Sequence, residues 1–103
     1  MSRYKKLGIP RSFSIHAHKI KVSIVPKSRW RHGMNAIGIW EPDKLKISLR
    51  GDQPDTVISA TFVHELVHAS LDSLNDKLSY NEKWVDNYAQ VLHQILVSFS
   101  DKS

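Results

Sequence analysis

Between His18 and Pro26 the chain alternates, with Ile20, Val22 and Ile24 apolar and Lys19, Lys21 and Ser23 polar. That two-residue period predicts a half-buried strand ending at the proline. Residues 27–35 have no period and read as a loop. "AIGIW" (36–40), the turn "EPDK" and "LKISLR" (45–50) follow, the last alternating Leu45, Ile47 and Leu49 with Lys46, Ser48 and Arg50. Pro42 and Asp43 suit the turn, so the segment predicts a hairpin. From residue 51 the period lengthens. "GDQPDT" carries helix-start signals, with Pro54 fitted to a first turn and Asp55 to the positive end of the helix dipole. A helix over about residues 55–74 is expected. After a polar break "SYNE" opens a second, over about residues 80–99, with Trp84, Tyr88, Val91, Leu92, Ile95 and Phe99 on one face.

The expected architecture is therefore α+β: a small antiparallel or mixed three-stranded sheet in the N-terminal half, packed on two helices. With 103 residues, 41% of them hydrophobic, the chain suits one domain over residues 1–103 with one modest core. Residues 1–17 read as a loose basic arm. There is no cysteine, which excludes disulfides, thiolate metal sites and cysteine nucleophiles. Nothing resembles a signal peptide or the roughly 20 apolar residues of a membrane span, so the expectation is a cytoplasmic protein with no membrane partner.

One stretch breaks the apolar logic of its own helix. "TFVHELVHASLD" (61–72) sets His64, Glu65 and His68 among Val, Leu, Phe and Ala, and such groups are costly to bury without partners. At about 100° per residue, His64 and His68 lie about 40° apart and one turn distant, with Thr61 and Glu65 on the same side. Apolar residues flank this strip on both sides, which predicts a packed helix with its ionisable strip facing a cleft. The spacing is the H-E-x-x-H pattern: two imidazoles converge on one zinc ion, and the glutamate beside the first is aimed at water rather than at the metal. Random placement yields the pattern in about one per hundred chains of this composition. The alternative is a pair of core histidines hydrogen-bonded to protein groups.

A third ligand must come from elsewhere. Asp72 lies about 12 Å along the helix from His64, too far to share an ion, and reads either as a carboxylate supporting the site from behind the ligands or, more simply, as a surface or loop carboxylate. In "NEKWVDN" (81–87), Glu82 and Asp86 stand one turn apart, so packing the two helices together brings both toward the histidines, one to ligate and one to orient. Against this, Ser79 with Glu82 fits a capping box that needs no metal.

"HELVH" followed by "NEKWVD" resembles the gluzincin branch of zinc metallopeptidases, whose second element has the form N-E-x-x-x-D. The resemblance implies a minimal zincin-like domain with Zn²⁺ as cofactor, His64, His68 and Glu82 as ligands, Asp86 hydrogen-bonded to a ligand histidine, and Glu65 as catalytic base. "GIWEPDKLKISL" is similar to the hairpin preceding the motif in very small gluzincins and in phage or bacterial predicted metallopeptidases. The likeness covers about residues 20–99, lacks the substrate-binding lobe of larger gluzincins, and has a short gap between His68 and Glu82. The implied activity is peptide-bond hydrolysis on a peptide or protein substrate, in the host cytoplasm if phage-encoded. "LKISLR" is the expected cleft-edge strand, its Lys46 and Arg50 favouring acidic peptides. Tyr80, Tyr88 and His32 are candidates by type for an oxyanion donor, while His16, His18 and His93 read as lying away from the metal.

The formal charge of +5 gathers in two basic clusters, one in the N-terminal arm and one at residues 19–31. Two further readings follow: a zinc-binding, non-proteolytic interaction module of phage or accessory type, and a nucleic-acid-associated protease of the SprT-like group. The latter lacks its Cys-rich ribbon, and a solvated surface explains the charge more simply.

Overall fold

The computed structural model describes residues 2–100. In chain order the elements are α1 (Arg3–Leu7), β1 (Ser12–Ile15), β2 (His18–Val25), β3 (Gly38–Glu41), β4 (Lys46–Arg50), α2 (Asp55–Ser73) and α3 (Glu82–Ser100), with 3₁₀ turns at Lys27–Arg29 and Lys77–Tyr80. The class is α+β, as the periods predict.

The sheet has four strands rather than three, in the order β1-β2-β4-β3. The additional strand comes from the stretch expected to be a loose arm. β1 is four residues long and pairs antiparallel with β2 from Ser12↔Lys21 to Ile15↔His18. Ser12, Phe13, Ser14 and Ile15 do alternate polar and apolar, but the run is at the shortest length that carries a two-residue period and lies in a basic stretch, and its pairing with β2 is what makes it a strand. The rest of the arm is tied down as well. Arg3 donates to the carbonyls of Gly51 (2.6 Å) and Gln53 (3.0 Å) and to Asp55 Oδ1 (3.0 Å), and the Tyr4 hydroxyl accepts from the Ile24 amide.

β4 lies in the middle of the sheet, parallel to β2 and antiparallel to β3. It is buried on both faces: Ile47 and Leu49 are 0% exposed, and Ser48 and Arg50 on the opposite face are nearly so. The connection between β2 and β3 covers that second face, where Arg50 Nη1 donates to Met34 O and Nε to Asp52. The expectation that "LKISLR" borders a cleft is therefore corrected. The edge strand beside the cleft is β3, and Arg50 is committed to intramolecular partners rather than to an acidic substrate.

α2 lies against the sheet and contributes Ile58, Phe62, Val63, Val67 and Ala69 to the core. It ends within a residue of the expected boundary. α3 packs on α2 through Val85 and Ala89, whose small side chains allow close approach. The apolar face expected to pack is a different one: Trp84, Tyr88, Val91, Ile95 and Phe99 are exposed, and from that set only Leu92 is partly buried against the core. Periodicity identifies an apolar stripe but not which edge of it meets a neighbour. Among the described residues no helix is long and apolar enough to cross a membrane.

Candidate metal centre

The strip on α2 borders a cleft of about 670 Å³, walled by β3 on one side and by the 3₁₀ turn and the start of α3 on the other. Glycine at position 38 sets the first wall. A Cβ there would collide with Thr61 Cγ2, so the residue allows the strand to lie directly against the helix. β3 also presents free backbone groups to the cleft side. Arg50 N donates to Ile37 O, and in an antiparallel pair the bonded positions alternate. Ile39 and Glu41 are then the residues bonded to β4, and the backbone groups of Gly38 and Trp40 point away from it, the Trp40 N–H being taken up by the Glu65 carboxyl.

The second wall carries the carboxylates. Glu82 opens α3 and reaches both imidazoles: its Oε1 is 3.1 Å from His64 Nε2 and its Oε2 is 3.0 Å from His68 Nε2. Of the other ring nitrogens, His68 Nδ1 has Ser79 Oγ at 3.3 Å, and His64 Nδ1 faces Asp86 Oδ1 across 3.6 Å, just beyond hydrogen-bond length. The capping-box alternative for Ser79 and Glu82 is not realised. Asn81 caps the helix, its Oδ1 accepting from Trp84 N over 3.0 Å.

His64 thus stands between two carboxylates. A neutral imidazole has one N–H and one lone pair, so it can donate to one of them while its lone pair faces the other. A second proton removes the conflict; so does a cation between Nε2 and Glu82, which would serve His68 Nε2 as well. The donor set suits such an ion. One atom from each of His64, His68 and Glu82 lies within 4.8 Å of the others, two nitrogens and one oxygen match zinc chemistry, and ligand separations of about 3.4 Å follow from tetrahedral coordination at ~2.0–2.1 Å. The two Glu82 contacts, one from each carboxylate oxygen, are 3.0–3.1 Å, close to that separation.

Glu65 is buried on the same strip, 9% exposed. Burial pushes its carboxyl above the ordinary value, an effect reinforced by the Glu82 charge and opposed by His64, His68 and the nearby Trp40 amide. No known family model matches the chain, and neither a curated protein nor a solved structure shows significant similarity to it.

Several residues fall where the sequence did not place them. Asp72 is not a loop carboxylate: its Oδ2 accepts from the Trp40 indole N–H over 2.7 Å, which ties the far end of α2 to β3. Of the three oxyanion candidates, Tyr80 lines the cleft, whereas Tyr88 stacks on Trp84 outside it and His32 sits against Trp30 and Glu41. His93 bonds to Ser59 Oγ away from the centre, where the sequence placed it. Ser79 and Trp40 acquire site roles that the sequence did not assign. Ser79 was readable only as a cap; the glycine two residues before Trp40 was the available sign of close backbone approach.

Proposed function

We propose that the chain is a zinc-dependent peptide-bond hydrolase of gluzincin type, with His64, His68 and Glu82 holding the ion and Glu65 serving as general base. The observation that carries this reading is the His64 ring set between Glu82 and Asp86, an arrangement that asks for a positive charge at Nε2. When bound, zinc supplies Lewis acidity that polarises a carbonyl and acidifies water. The protein's own groups do the rest. Asp86 and Ser79 orient the two rings from their Nδ1 sides. Glu65, made more basic by burial, accepts a proton from water and returns it to the departing amine. The outward N–H and C=O groups of Gly38 and the C=O of Trp40 hold an extended peptide by strand addition.

The test is metal content followed by chemistry. Wild-type protein is expected to take up one zinc per chain, and His64→Ala, His68→Ala and Glu82→Ala to lose it. Glu65→Gln should retain zinc and lose peptide cleavage. Failure to bind zinc overturns the reading; zinc retained with no cleavage of any peptide by wild type leaves a metal-binding interaction module in its place.

A further inference from the structure

Beyond Trp40 lies a second cavity of about 340 Å³. Ile15, Ile20, Leu45 and Ala69 give it apolar walls, and His16 and His18 are exposed at its rim. Trp40, Pro42 and Asp72 line both this cavity and the metal cleft, so the two adjoin where β3 ends. The Trp40 indole, held by Asp72, stands between them. At roughly 300–1,000 Å³ for ligand pockets generally, this volume suits one large side chain rather than a length of peptide.

Geometry relates the cavity to the reaction centre. Asp72 follows His68 by one helical turn, about 6 Å along α2. An extended chain advances about 3.3 Å per residue, so a peptide held on the free edge of β3 brings a side chain to the cavity mouth about two residues from the bond nearest the metal. From this we infer that the second cavity is a specificity subsite for an aliphatic side chain of the peptide substrate, two residues to one side of the scissile bond. The inference rests on the peptidase reading for its distance from the scissile bond, while the occupant's chemistry follows from the walls alone.

Two probe pairs test it on the zinc-loaded protein: Ac-Leu-Gly-NHOH against Ac-Gly-Gly-NHOH, and malonohydroxamyl-Leu-NH2 against malonohydroxamyl-Gly-NH2. Each sets leucine or glycine second from a metal-binding hydroxamate, one pair on either side. One leucine probe is expected to bind about 10-fold or more tightly than its glycine counterpart, the scale of aliphatic discrimination by an apolar pocket. It should also shift the Trp40 indole N–H and the amides of Leu45 and Ser73 in nitrogen-15 spectra. Ala69→Leu, which fills the cavity, and Ser73→Leu, which narrows its half-buried rim without touching the core, should each remove the preference and leave the glycine probes unaffected. Equal binding within both pairs, or a preference that survives both substitutions, overturns the subsite.

N-acetylleucinamide separates this inference from the one beneath it, because it carries no metal-binding group. In metal-free protein it should shift the same three resonances where N-acetylglycinamide does not. That shift together with failure of every hydroxamate condemns the metal reading and upholds the aliphatic cavity; no shift condemns the cavity.

Discussion

The Ser79 hydroxyl lies 3.3 Å from Nδ1 of His68, eleven residues earlier in the chain. The serine is buried and belongs to the 3₁₀ turn that joins the two long helices, so the connection itself fixes the ring. Partners of this kind are worth about 10–100-fold in metal affinity. Ser79→Ala is expected to weaken zinc binding about 10-fold in a competition titration with a chromogenic chelator. Metal-free thermal stability should change little, since Asn81 rather than Ser79 caps α3. Unchanged zinc affinity would remove Ser79 from the centre.

Gly38 faces Thr61 at the closest approach of β3 to α2, where an added methyl meets Thr61 Cγ2. Both atoms sit on regular elements that cannot move independently. Gly38→Ala is therefore expected to cost about 1–3 kcal/mol by overpacking, measured by urea unfolding. Thr61→Ser deletes the methyl and keeps the hydroxyl that donates to Val57 O. The double variant should recover most of the loss; strict additivity would show that the contact is not the cause.

Tyr80 is the exposed aromatic of the cleft, 87% accessible, on the wall opposite Gly38 and Trp40. Its phenol is the candidate donor to a developing oxyanion. Loss of one such donor costs about 10²–10³-fold in kcat. Tyr80→Phe should lower kcat by about 100-fold with KM and zinc content unchanged, and full activity in the variant would exclude the role.

The N-terminal segment is pinned by the Arg3–Asp55 pair. The hydrogen bond from Arg3 holds the Asp55 carboxyl below its ordinary 3.8, with Lys6 adding to the effect. The folded chain therefore binds fewer protons than the unfolded chain near that pH, and stability rises with pH through the window. The contribution is present above about 3.8 and is lost as pH falls through the folded value. Urea midpoints of wild type and Asp55→Asn should differ at pH 6 and draw together as pH falls below 3.8. A gap that does not narrow on acidification would assign the effect to something other than this charge.

The sequence by itself determined what depends on one element's own geometry. The strip of His64, Glu65 and His68 follows from 100° per residue, β2, β4 and both long helices follow from their periods and end signals, and β3 follows from the turn that joins it to β4. Tertiary structure decided every relation between elements. Whether Glu82 caps its helix or faces the histidines depends on how α3 lies on α2, which Val85 and Ala89 settle by being small enough for close contact. Which strand borders the cleft depends on sheet order, and a period of two is the same for an edge strand as for a central one, so β4 read as the edge and proved to be interior. Asp72 read as an idle carboxylate because its partner, Trp40, is 32 residues away. A repeat pattern fixes directions about a single axis; distances between axes arise only when the core closes.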